Sequence, residues 1–221
     1  MSDELIYKFY SAHRGRDALY RKRLKVTTLS DINDPFEFLA TSTKQALRQK
    51  ARALREAEFG DAGVISFSQT WQEPLLWSHY AKNHSGIALG FKLLKPNTGF
   101  PVDYGNQRVQ FPDPNDLRPG QLITFWNQIR LRKHNAWCYE KEIRVFPSLQ
   151  GSVFENGLYF RLFSDLVSLH SVVLGPEYVP IGDSALQSKL EGSGVSIVTS
   201  RLSFKKFEVV EQRSKKKRKT L

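Results

Sequence analysis

Apolar residues follow two rhythms along this chain, and each change of rhythm marks an element. In "LIYKFYS" (5–11) they recur at nearly every second position, which predicts a first strand. "GRDALYRKRLKVTTL" (15–29) reads as a short helix running into a second strand, and polar "SDINDPFEF" (30–38) as a loop. From Ser42 to Glu58, "STKQALRQKARALREAE" has helical spacing: Ala46, Leu47, Ala51 and Leu54 share one face, and Arg48, Arg52 and Arg55 another, behind a Ser/Thr cap. A strand "GVISFSQ" (63–69), a helix "PLLWSHYAKN" (74–83) opened by Pro74, and a strand "GIALGFK" (86–92) follow. The stretch Pro96–Gly120 is rich in Pro, Gly, Asn and Asp and reads as a long loop with a short strand at "PVDYG". "QLITFWNQIRLRKHN" (121–135) is helical, and "AWCYEKEIRVFP" (136–147) is expected to be one strand. Strands at "GLYFRLF", "VSLHSVVLG" and "VSIVTSRLSFKKFEVVE", with a helix near "DSALQSKLE", complete the chain. Without regular β-α-β alternation the class is α+β, with mixed, mostly antiparallel sheets and helices packed on them.

At 221 residues and 40% hydrophobic content, residues 1–212 suffice for one globular domain with a real core. The start "MSDELIYKFY" has no basic leader or apolar segment, and no stretch is apolar enough to span a bilayer, so a cytoplasmic protein is expected. The lone Cys138 excludes an internal disulfide, and beside Trp137 it reads as a buried thiol. The net charge of +11 is partly local. Arg213, Lys215, Lys216, Lys217, Arg218 and Lys219 crowd the last nine positions, leaving 27 basic against 22 acidic residues elsewhere. Residues 213–221 therefore read as a disordered basic tail suited to nucleic acid, or to nuclear import in a eukaryotic host.

On a strand over 136–146, Glu140, Glu142 and Arg144 share one face, and Ile143 and Val145 the other. Two like charges two residues apart repel. The pattern fits either an exposed strand neutralised by Arg144, Arg130, Arg132 or Lys133, or a carboxylate pair lining a cleft. Ser66 and Ser68 likewise share a face opposite Ile65 and Phe67. His79 and His84 are badly phased for one helical face, so no metal site is expected, and there is no glycine-rich phosphate loop.

The blocks "LIYKFYS", "NDPFEF", "ISFSQTWQEPLLWSHYAKNHSGIALGF", and Lys133 just ahead of "WCYEKEIR" resemble, in order and spacing, a bacterial family recorded as domain of unknown function 2971, met near phage-defence genes. The resemblance covers most of residues 5–146 and is looser after Pro147. That family is similar in layout to mono-ADP-ribosyltransferases, which implies an ADP-ribosyltransferase-like fold and NAD as substrate. The resemblance maps Tyr7, Lys8 or Tyr10 to a first strand, Ser66 and Ser68 to a second, and Glu140 with Glu142 to an E-x-E third. The first block departs from the pattern by carrying neither Arg nor His; His13 and Arg14 lie just beyond it. In such chemistry Glu142 would stabilise an oxocarbenium-like ribose and Glu140 would orient or deprotonate the acceptor. Ser66 and Ser68 would hold the ribose or brace Glu142, and Trp77 or Tyr80 would stack on nicotinamide. Arg144 would pair with a carboxylate and depress its pKa, and Lys133 would reach phosphate. The sequence thus leaves two readings: an NAD-dependent transferase, a defence or toxin effector acting on protein or nucleic acid, and a non-catalytic nucleic-acid or protein binding module.

Overall fold

The computed structural model describes residues 5–28, 31–42, 44–112 and 119–221. The alternating first block is β1 (Ile6–Tyr10), followed by α1 (Ala12–Arg21). Left-handed Lys22 (φ 47°) turns the chain from that helix into β2 (Arg23–Val26). Helix α2 (Gln45–Phe59) buries Ala51 and half-buries Leu47 and Leu54, whereas Ala46, expected on the same face, is exposed in its first turn. Ser42 Oγ accepts the Lys44 N–H (3.1 Å); Thr43, the other half of the expected cap, lies outside the described residues. Then come β3 (Ile65–Ser68), α3 (Pro74–Tyr80) and β4 (Ile87–Leu93), with Glu73 accepting the Leu75 N–H (3.2 Å) to cap α3. The Pro/Gly-rich stretch holds β5 (Phe100–Pro101) and β6 (Asp103–Gly105); its residues 113–118 lie outside the described residues. Helix α4 (Pro119–Leu131) runs into β7 (Arg132–His134).

The segment expected to be one strand over 136–147 divides in two. Asn135–Glu140 is a 3-10 turn, Lys141 is left-handed (φ 45°), and only β8 (Glu142–Val145) is extended. His134 Nδ1 caps the turn by accepting the Ala136 N–H (3.3 Å), while the β-branched residues Ile143 and Val145 come after Lys141. The same turn leaves Cys138 exposed instead of buried. The remaining elements are β9 (Val153–Glu155), β10 (Leu158–Leu162), α5 (Phe163–Leu166), β11 (Val167–Leu174), α6 (Ser184–Glu191), β12 (Ser196–Leu202) and β13 (Val209–Glu211).

An eight-stranded sheet in the order β13-β12-β11-β4-β1-β3-β8-β5 carries the fold, antiparallel throughout except for the parallel β11–β12 pair. Smaller sheets are β2-β10-β9 and the parallel pair β6-β7. The protein is thus α+β with mixed, mostly antiparallel sheets. The main core lies between one face of the large sheet (Ile65, Phe67, Ile87, Leu89, Phe91), β2 (Leu24, Val26), α1 and α6. On the other face, Trp77 of α3 and Ala81 just after it pack on Ala88, Val173 and Val209. A third cluster joins Phe38, Ala51, Val64, Phe125, Trp126 and Ile129. Gly90 on β4 is required by close packing: a Cβ there would lie 2.2 Å from Ser171 Oγ and 2.9 Å from the Tyr7 ring.

The chain end differs from the disordered arm expected over 213–221. Lys215–Lys217 form a 3-10 turn, Thr199 Oγ1 accepts the Lys219 N–H (2.8 Å), and Lys219 Nζ donates to Pro176 O (2.6 Å). The Leu221 side chain is buried in the main core. The apolar residue beyond the charge run supplies the anchor, while Arg213, Lys215, Lys216, Lys217 and Arg218 stay exposed.

Candidate active site

Three adjacent strands build the site. Strands β3 and β8 pair Ser68 with Glu142 and Ser66 with Arg144, and β1 joins through Tyr7 opposite Ser68. Cross-strand partners share a face, so Tyr7, Ser66, Ser68, Glu142 and Arg144 lie together. Lys8 belongs to the other face of β1, yet its Nζ donates to Ser66 O (3.0 Å). A cleft of about 450 Å³ opens here, lined by these six residues and by Arg14, Lys25, Glu37, Tyr80, Lys133 and Glu140.

Its floor is a buried charge cluster. Lys133 Nζ lies 2.5 Å from Glu140 Oε2, 3.0 Å from Glu142 Oε2 and 3.3 Å from Glu37 Oε1. Arg144 Nε donates to Glu142 Oε1 (2.9 Å), its Nη1 to Arg130 O (2.7 Å), and its Nη2 pairs with Glu37. Tyr80 donates its hydroxyl to Glu140 Oε1 (2.5 Å), and the Glu142 N–H donates to the Tyr104 hydroxyl (2.8 Å). Glu37, Glu140 and Glu142 thus face Lys133 and Arg144, one carboxylate in excess of the cations. The left-handed Lys141 between Glu140 and Glu142 replaces strand alternation as the device that brings both carboxylates to Lys133.

The ionisation of these groups follows from burial set against pairing. Burial alone would raise the pKa of Glu142, but Arg144 and Lys133, helped by a hydrogen bond from Ser66, hold it down to about 2. For Glu37 burial wins and the pKa is raised despite the same two cations. Burial lowers that of Lys133, but its three carboxylates outweigh this and push it up. Lys8 is brought down to about 8, chiefly by burial, with Glu142 opposing. Burial and the charge of Glu140 raise the Tyr80 phenol.

Several sequence-derived assignments need correction. Trp77, expected to stack on a ligand, is fully buried, donates its indole N–H to Trp71 O (2.6 Å) and packs edge-on against Phe9. Tyr80 does line the cleft, but its hydroxyl is committed to Glu140. Arg144 pairs with Glu142 as anticipated, but its buried, fully engaged guanidinium braces carboxylates and does not face a ligand. Lys133 is likewise taken up by carboxylates and does not point at phosphate. Sequence reasoning missed Glu37, Tyr104 and Lys25. For Glu37 a signal existed: one acid inside the apolar run "PFEFLA" needs a buried partner.

The fold and the cluster define a small α+β protein with a charged cleft. Within it, residues 76–145, from α3 through β8, match the family model described as protein of unknown function (DUF2971). No curated protein and no solved structure matches the chain. Among the described residues no helix is long and apolar enough to cross a membrane, and no group of three or more His, Cys, Asp or Glu is placed to hold a metal.

Proposed function

We propose that this protein cleaves the nicotinamide–ribose bond of NAD and transfers the ADP-ribosyl group to an acceptor. The observation that carries the reading is the adjacency of β1, β3 and β8, which sets Ser66, Ser68 and Glu142 on one face at the floor of a cleft. Breaking that glycosidic bond sends its electron pair to the nicotinamide ring nitrogen and leaves positive charge on the ribose. Glu142, held ionised by Arg144 and Lys133, supplies negative charge at the floor without reorganisation. Glu140 receives the proton that the attacking group releases as it bonds to the ribose carbon. Lys8, Arg14 and Lys25 along the wall suit the pyrophosphate.

Nicotinamide release and label transfer from NAD test this directly. Glu142→Gln is expected to lower the rate by at least about a hundredfold, with near-ultraviolet circular dichroism confirming an intact fold. Lys25→Glu is expected to raise KM for NAD while leaving kcat within about twofold, because it alters binding remote from the reacting bond. Wild-type protein that neither releases nicotinamide nor is thermally stabilised by NAD overturns the reading. The second reading, a nucleic-acid binding module, is favoured by one observation, the exposure of Lys215, Lys216 and Lys217 on an anchored turn.

A further inference from the structure

A second cavity of about 510 Å³ adjoins the cleft. The two share Asn33, Glu37, Phe38 and Lys133, so the ion pair between Glu37 and Lys133 forms part of the partition. The second cavity differs in chemistry. Its own walls are aromatic, with Phe36 63% exposed and Trp137 half-buried beneath the Lys133 ammonium (5.1 Å from the ring). Large exposed rings in a concave site are stacking surfaces in want of a planar partner.

Its charges are as selective as its rings. Of the two carboxylates in the lining, Glu37 is paired with Lys133 and Arg144, and Asp34, itself buried, accepts the Phe36 N–H through Oδ1. The guanidinium of Arg108 lies 5.3 Å from the Phe36 ring and gives one Nη to Leu39 O (3.3 Å), while Arg132 holds Asp103 at 3.2 Å. Each guanidinium has five N–H donors, so both retain capacity for an anion. Gly105 makes room for one of them: a Cβ there would lie 2.3 Å from Arg132 Nη1. Exposed Asn106 and Gln107 add paired amide donors and acceptors at the rim. Stacking rings, edge-reading amides and guanidiniums beside them are the complement of a nucleobase carrying phosphate.

We propose that this cavity is a nucleobase site, stacking the base on Phe36 and Trp137 with its phosphate on Arg108 or Arg132, and that its occupant is the acceptor. The acceptor clause rests on the function proposed above; the nucleobase clause does not. Because the two cavities share Asn33, Glu37, Phe38 and Lys133, an occupant of the second lies next to the cleft in which the donor would sit. The shared chemistry belongs to a free nucleotide and to a single-stranded nucleic acid alike.

The test is calorimetric titration of the full chain, without NAD, using the four ribonucleoside monophosphates, single-stranded DNA and RNA tetramers, and a tryptophan-containing tripeptide. Saturable one-to-one binding is expected. Phe36→Ala should weaken it at least tenfold with Tm unchanged, since that ring is solvent-exposed, and Val109→Trp, which fills the cavity, should abolish it. Lys25→Glu in the neighbouring cleft should leave it within twofold. Binding of monophosphates as tight as tetramers assigns a free nucleotide; tetramers at least tenfold tighter assign nucleic acid. The nucleobase site is overturned if neither class saturates, if Phe36→Ala binds as wild type, or if the tripeptide binds as tightly as the best nucleotide. Transfer of label from NAD to the bound ligand supports the acceptor clause. Nicotinamide release without labelling of that ligand overturns that clause alone. If nicotinamide is not released at all, the function proposed above fails and takes the acceptor clause with it, while the nucleobase site stands on its binding data.

Discussion

The Glu142 carboxylate lies between two cations, and its titration bears on acid stability. Its folded pKa of about 2 is below the roughly 4.3 of an unfolded chain, so its contribution is complete above the unfolded value and is lost as pH falls towards 2. Glu37 has the opposite sign: with its pKa raised, it favours the fold at low pH, and that benefit is lost as pH rises through its own elevated value. Urea melts in steps from pH 6 to 2 should show stability falling below about pH 4, and Lys133→Met should move that fall to higher pH. At pH 7, Lys133→Met leaves three buried carboxylates to Arg144 and is expected to cost roughly 3–5 kcal/mol, a Tm drop of about 10 °C. Lys133→Arg should recover part of it; a Tm within 2 °C of wild type for Lys133→Met would contradict the cluster. At this scale the sequence was informative where chemistry is local. Ser66, Ser68 and Glu142 share a sheet face as strand alternation predicts, whereas Glu140 reaches Lys133 only through the Lys141 turn. Partners distant along the chain, such as Glu37 on Arg144, were not legible, because loop residues carry no periodicity to say which way they turn.

Strand β4 is buried on both faces, and that leaves no room at Gly90. Gly90→Ala should destabilise by roughly 1–3 kcal/mol, since the new methyl meets Ser171 Oγ and the Tyr7 ring. Adding Ser171→Ala removes the nearer clash and should restore most of the stability; thermal melts of the two variants decide it. Most elements followed the apolar rhythm, including the Pro74 start of α3 and the strand pair flanking Lys205 and Lys206. Two exceptions were instructive: the helix expected over 121–135 gives way at Arg132 to β7, and "NAWCYE" alternates well enough to look extended, yet His134 caps it into a turn. Capping, a single local hydrogen bond, outweighed weak alternation in a stretch without β-branched residues.

Sheet order was the part of the fold that lay beyond sequence reading. Nothing local says that β1 sits between β3 and β4 or that β11 and β12 run parallel, since these pairings depend on which faces the whole chain manages to bury. Charge acts on the same scale. The exposed Lys215, Lys216 and Lys217 lie on a turn anchored by Lys219 and Leu221, so any phosphate they meet is met by a positioned patch. Replacing all three with Gln should reduce the slope of log affinity for single-stranded nucleic acid against log salt by about 0.7 for each phosphate that these lysines neutralise. An unchanged slope removes this turn from any interface.

The left-handed Lys141 also bears on how the chain tolerates change. Its side chain is exposed, and a saturation scan would be expected to treat it as a free surface position. Its backbone (φ 45°) instead imposes an order: glycine and asparagine accommodated, valine and isoleucine rejected. The rejected residues are those that would favour a continuous strand, and would thereby swing Glu140 away from its partners. A solvent-facing residue outside the buried charge cluster would therefore show the substitution profile of a hinge.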